Sequence, residues 1–119
     1  MNMSFTLTVE QMRNRTKDVT RRFGWHDLKA GDVLMAIEKG QGLKKGEKVK
    51  QLYPIRIVSV RVEPLAHITM DDIRREGFPN MEHGEFLAMF CSLNNCNPFD
   101  EVNRIEFEEV VNSAQEALL

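Results

Sequence analysis

The sequence predicts an α+β fold, a small β-rich frame with two to three helices set against it. Three observations predict it. Apolar residues alternate or run together in four short stretches, Met3–Leu7, Val33–Ile37, Tyr53–Val62 and Val102–Val111, at strand length. Helix-capping signatures open at Thr8 and Thr69, and Phe86, Met89, Phe90 and Leu93 follow helical spacing. Glycine, proline and asparagine clusters punctuate the chain between these stretches.

Taken in order, Met3–Leu7 reads as a strand with Phe5 and Leu7 on one face. Thr8-Val9-Glu10-Gln11 fits a capping box, predicting a helix that runs to about Lys17 or Asp18. Its thin apolar face, Val9 and Met12, would leave Arg13, Arg15 and Lys17 displayed. Gly31 marks a turn into Val33–Ile37, an interior strand apolar on both faces. Glu38–Lys48 is a loop with three glycines and four lysines. In Tyr53–Val62 the apolar phase switches between Ile57 and Val58, which predicts a bulge or a strand buried on both faces, and Pro54 suggests a start at a sheet edge. Thr69 caps a second helix whose acids come first and arginines last, with Gly77 as its stop. A further helix spans about Glu82–Leu93, a turn follows at Asn94–Pro98, and Val102–Val111 closes the frame. The last eight residues read as a frayed helical tail.

A chain of 119 residues makes one domain and can bury roughly two-thirds of its unfolded surface without metal or disulfide staples. Its apolar share of 42% and charged share of 29% are those of a soluble globular protein. It has neither an apolar run of membrane-spanning length nor a signal-peptide pattern at its start, so a cytoplasmic protein without a membrane partner is expected. Cys91 and Cys96 stand in no redox or zinc-ribbon spacing and read as two buried thiols. His26, His67 and His83 are scattered without carboxylate or thiol companions, so neither a metal nor a cofactor is expected.

The net charge of -2 hides an asymmetry. Residues 13–50 carry eleven Lys or Arg against five Asp or Glu, and residues 63–119 carry three against twelve. The basic half centres on Arg13–Trp25, which mixes five cations with hydroxyl and amide side chains and one Trp. That composition suits a surface for anions and flat rings. Lys17 and Thr20 are three apart, so a helical turn would bring them to one side of the backbone.

The set Arg15-Thr16-Lys17-Asp18-Val19-Thr20-Arg21-Arg22, Leu28-Lys29-Ala30-Gly31-Asp32, Leu65-Ala66-His67-Ile68-Thr69, Arg75-Glu76-Gly77-Phe78-Pro79, then Phe86, Phe90, Cys91 and Ile105-Glu106-Phe107, resembles the ASCH domain, a branch of the PUA-like superfamily. The likeness spans about residues 4–108 and leaves 112–119 as a tail. It implies a small β-barrel of about five to six strands flanked by two to three helices, with a cleft facing the Lys-x-x-Thr segment. It also implies recognition of RNA or of a modified nucleotide. One small bacterial ASCH enzyme is an amidohydrolase that deacetylates acetylcytidine, and the resemblance places Lys17, Thr20 and Glu76 at its catalytic positions. This chain is longer, inserts the glycine-lysine loop, and follows Glu76 with Gly-Phe.

Two chemistries and one alternative role follow. In a binding domain Arg15, Arg21, Arg22, Lys44 and Lys45 would hold phosphates and Trp25 would stack on an unpaired base of single-stranded RNA or of a nucleoside or nucleotide. The bland counterparts are a solvated loop at Lys44–Lys45, a rim-packing Trp25, and arginines paired with the acidic half. In a hydrolase, Lys17 would deprotonate Thr20 for attack on an amide and Glu76 would protonate the departing amine. The third role is a scaffold whose acidic C-terminal half, with Glu106, Glu108 and Glu109, contacts a basic protein. Oligomeric state is not encoded in any of these features.

Overall fold

The computed structural model describes residues 1–111, and the expected tail at 112–119 lies outside the described residues. The fold is α+β, a five-stranded mixed sheet with three α-helices. The strands are β1 (Asn2–Ser4), β2 (Val19–Arg22), β3 (Val33–Ile37), β4 (Gln51–Pro64) and β5 (Glu101–Glu109). The helices are α1 (Val9–Arg13), α2 (Met70–Arg75) and α3 (His83–Asn94). The sheet order is β1-β3-β4-β5-β2, with β1 parallel to β3 and every other pair antiparallel.

This order puts β1 and β2 at opposite edges, yet the edges meet. Arg22 of β2 donates from Nη2 to the Ser4 carbonyl of β1 at 2.7 Å, and its guanidinium lies 4.9 Å over the Phe5 ring. Phe5 in turn packs on Phe107 of β5 at 5.5 Å. The sheet therefore curls almost fully round, but no backbone ladder joins β1 to β2 among the described residues. The expected barrel is thus an open, curled sheet fastened at its seam by one side chain.

Two apolar clusters fill the fold. Met3, Phe5, Leu34, Ile55, Ile57, Ile105 and Phe107 form the interior of the curl, as alternation along each strand requires. Leu65, Ile68, Ile73, Phe86, Phe90 and Val102 join α2 and α3 to the far end of β4 and β5. Register between β4 and β5 slips at Val58, where the apolar phase switches, so the bulge expected there is present. It leaves both Arg56 and Arg61 exposed. Pro54 does not start an edge strand, since β4 is central. Its carbonyl accepts from Val110 N–H just past the end of β5, so the missing N–H on that side costs no ladder bond.

The first helix differs most from expectation. It ends at Arg13, because Arg15 takes a left-handed φ of 62°. Arg15 N–H then bonds Met12 O and Thr16 N–H bonds Gln11 O, the Schellman pattern with arginine where glycine is usual. The capping box is also absent, since Thr8 makes no side-chain cap bond and Gln11 reaches instead to Gly77 O. Residues 19–22, expected near a helix end, are a strand whose Val19, Thr20 and Arg21 are buried. The N-terminal strand stops at Ser4, and Leu7 is exposed.

The later helices follow their signals. Thr69 Oγ1 accepts from Asp72 N–H at 3.1 Å, and Glu82 and Glu85 form a capping box on α3. Helix α2 ends in a second Schellman turn, Gly77 N–H to Arg74 O and Phe78 N–H to Ile73 O. On α3, Phe86 and Phe90 are buried, whereas Leu93 is exposed rather than part of the buried stripe. The Cys91 and Cys96 thiols are half-buried free thiols 3.5 Å apart.

Gly77 has φ +104°, and a Cβ there would fall 2.6 Å from Gln11 Cγ. Gly77→Ala should therefore lower stability by about 1–3 kcal/mol. Gly84→Ala, in open space on α3, should raise it by about 0.4–1 kcal/mol. Urea unfolding midpoints of the two variants check both signs.

Candidate functional site

The seam between β1 and β2 opens into a cleft of about 680 Å³. One side is the end of β1 and the segment after it, Ser4–Thr8. The other is Lys17 with Thr20, Arg21 and Arg22 of β2. Glu76 at the end of α2 joins the polar side, and Phe78, Phe86, Met89, Phe90 and Leu93 supply an apolar wall. Leu7 and Leu93, both more than half exposed, line the cleft as uncovered apolar surface.

Lys17 and Glu76, separated by 59 residues, are in direct contact. Lys17 Nζ donates to Glu76 Oε1 at 2.7 Å and to the Glu76 carbonyl at 2.9 Å. Both are buried, Lys17 at 5% and Glu76 at 4% exposure. Burial pushes the Lys17 ammonium below its ordinary value; the Glu76 carboxylate pulls the other way but less strongly. Thr20 Oγ1 accepts from Arg22 Nε at 3.0 Å, so its own hydroxyl proton is turned elsewhere. The helical turn invoked to align Lys17 with Thr20 is not there. Lys17 lies in the segment before β2 and Thr20 within it, and both still line the cleft.

What positions this group is a buried ion network. Arg21 reaches Glu63 Oε1 and Asp72 Oδ2 from Nη2, each at 2.6 Å, and Glu76 Oε2 from Nη1 at 3.3 Å. Arg104 of β5 grips both oxygens of Asp72 at 2.7 and 3.0 Å. Lys17, Arg21 and Arg104 thus balance Asp72, Glu76 and the half-buried Glu63, which is what makes burial of the other five charges tolerable. The two guanidinium groups hold the Asp72 carboxyl well below the usual carboxylate range, chiefly through the Arg104 hydrogen bonds.

The other expected binding residues part company. Arg21 is buried with both Nη groups paired to carboxylates and its Nε left without a partner among the described residues, and it offers no exposed face to phosphate, although it lines the cleft. Arg15 pairs with Glu109 at 2.8 Å and lies 4.0 Å over the Tyr53 ring, outside the cleft. Lys44 and Lys45 are on the exposed loop and do not line it. Trp25 lines two neighbouring cavities instead. The acidic C-terminal residues also pair within the chain: Glu106 with Arg75 and Arg104, Glu108 with Arg56, Glu109 with Arg15. Among the described residues no group of His, Cys, Asp and Glu could hold a metal.

Sequence reasoning missed Asp72, Arg104 and Glu63. Asp72 sits among the first-turn acids that suit a helix start, and Arg104 shares its strand phase with Glu106 and Glu108, opposite the apolar Ile105 and Phe107. A lone cation in a run of glutamates was the available signal.

Asp72→Asn should cost about 3–5 kcal/mol at pH 7, because it leaves two buried guanidinium groups short of charge. The folded-state carboxyl lies below its ordinary 3.8, so its contribution is complete above that pH and is lost as the pH falls below it. The variant should therefore show a flatter acid limb in stability below about pH 4, measured by urea unfolding across pH.

No family model matches the chain, and no curated protein matches it in sequence. Among solved structures it is similar to the crystal structure of protein EF3133 from Enterococcus faecalis, assigned to the family DUF984, with a TM-score of 0.54 and 17% identity. The match covers 85% of this chain and 68% of that one, and at this identity it is a likeness of fold.

Proposed function

We propose that this chain is a cytoplasmic ASCH-type domain of PUA-like build whose seam cleft receives one nucleobase, from a nucleoside or from an unpaired RNA nucleotide. The observation that carries the reading is the pairing of two unlike walls across one cavity. Phe78, Phe90, Met89 and Leu93 offer apolar and aromatic surface to a flat ring. Thr20, Lys17 and Glu76 offer hydroxyl, ammonium and carboxylate groups to its polar edge. The curled sheet stapled by Arg22 supports the PUA-like assignment.

Affinity on this reading comes from burying the base, not from a bed of phosphate contacts. Arg21 is neutralised inside the fold and Arg15 is paired with Glu109 outside the cleft, so binding of a nucleoside should be nearly insensitive to salt. Calorimetric titration with cytidine should show binding that Thr20→Val weakens by roughly tenfold and that Lys44→Gln with Lys45→Gln leaves unchanged. Absence of binding to any nucleoside, or loss of it in the loop variant, overturns the reading.

A second reading, amide hydrolysis, is favoured by the buried Lys17. Burial makes its neutral amine more accessible than in a free lysine, and that amine could take the Thr20 proton. Thr20 Oγ would then attack the carbonyl of an acyl-amino group on the base, with Arg22 Nε donating to Thr20 Oγ1 and so favouring its deprotonation. Lys17 would pass that proton across its 2.7 Å contact to Glu76, which would hand it to the amine as the C–N bond breaks, and water would release the acyl group from Thr20. Deacylation of acetylcytidine should rise with pH as Lys17 loses its proton, below its ordinary 10.5. Lys17→Ala and Thr20→Ala should each slow it by roughly a hundredfold or more. Equal rates in the three proteins remove this reading and leave the binding one intact.

A further inference from the structure

A second cavity of about 590 Å³ lies against the cleft, and the two share Ser4, Thr6 and Arg22 in their walls. Arg22 stands at the divide. Its Nε is held by Thr20, Nη2 by Ser4 O, and Nη1 makes no hydrogen bond among the described residues. The second cavity has a different character from the first. Trp25, Arg22 and Lys39 line it together with Asn2, Gln41 and Ser4, and it contains no acidic residue. Lys39 has one ion pair, with Glu47 at 3.8 Å, long and exposed, so its ammonium is free to swing inward. Trp25 is held in a left-handed conformation, φ 61°, directly after Gly24 at φ 77°. Asn103 Nδ2 fastens the turn by donating to Gly24 O. A bulky residue held in that region is a strain that the surrounding structure must maintain.

We propose that the ligand spans both cavities as a single-stranded dinucleotide step. One base occupies the cleft, the linking phosphodiester meets the Arg22 guanidinium and the Lys39 ammonium, and the adjoining nucleoside lies against Trp25. This rests on the base-binding reading of the cleft and extends it from a nucleoside to a strand. Each cavity has room for one nucleoside, and the cationic group between them sits where a strand carries its charge. Trp25 is the sole tryptophan and does not line the cleft, so its fluorescence separates binding beside it from binding in the cleft.

Titration of the intact protein with cytidine and with the dinucleotide cytidylyl-cytidine, followed by calorimetry and by tryptophan fluorescence, tests this. The dinucleotide should bind roughly tenfold or more tighter than cytidine and quench Trp25, whereas cytidine should bind without quenching. Trp25→Phe and Lys39→Gln should each bring the dinucleotide towards the affinity of cytidine while leaving cytidine binding unchanged. Lys39→Gln touches only an exposed pair and keeps the test independent of any folding defect at Trp25. Equal affinity for the two ligands, with no quenching, overturns the two-cavity ligand and leaves the base-binding cleft standing. Binding of neither overturns both.

Discussion

The structure depends on a buried, charge-balanced ion network between β2 and α2. Three buried cations, Lys17, Arg21 and Arg104, meet two buried carboxylates, Asp72 and Glu76, and the half-buried Glu63. Burying any one of them alone would cost several kcal/mol, so the set persists only because each charge has a partner at hydrogen-bond distance. Its consequences run outward. It ties the edge strand to the helix that carries Glu76, and it removes Arg21 from the surface. It also sets Lys17 where desolvation weighs against its charge.

A sheet that curls without closing supplies the other half of the account. Edge strands leave backbone groups unpaired, which natural folds cover or use. Here the two edges approach each other, and Arg22 spans the gap with a bond to Ser4 and a seat on Phe5. The gap that remains is the cleft, roofed by the apolar side of α3. Position in the sheet thus explains why polar residues of β2 gather at one cavity: an edge strand is where the fold has room for a ligand.

How much of this could be read in the sequence varied with the source of order. Strands β3, β4 and β5 and helices α2 and α3 carry local signals, apolar period, caps and a glycine stop, and the structure follows them within a few residues. Strand β2 was hidden because two of its three buried residues, Thr20 and Arg21, are polar, and the burial of Arg21 depends on Asp72 and Glu63 far along the chain. The early end of α1 was hidden because Arg15, not glycine, takes the left-handed turn. The meeting of Lys17 with Glu76 was expected from the family resemblance, whereas the helical spacing offered for Lys17 and Thr20 was the wrong reason for a shared cavity. Lys44 and Lys45 stand apart from the cleft; charge density alone does not say which cations face a cavity.

The central claim is that a base enters the seam between β1 and β2 and rests between α3 and the Lys17–Glu76 pair. Amide chemical-shift mapping of the isotope-labelled protein on addition of cytidine tests it most directly. Shifts confined to residues 4–8, 17–22, 76–78 and 86–94 are the predicted result. Shifts centred on the lysine loop at 39–48, or none at saturating ligand, would contradict it.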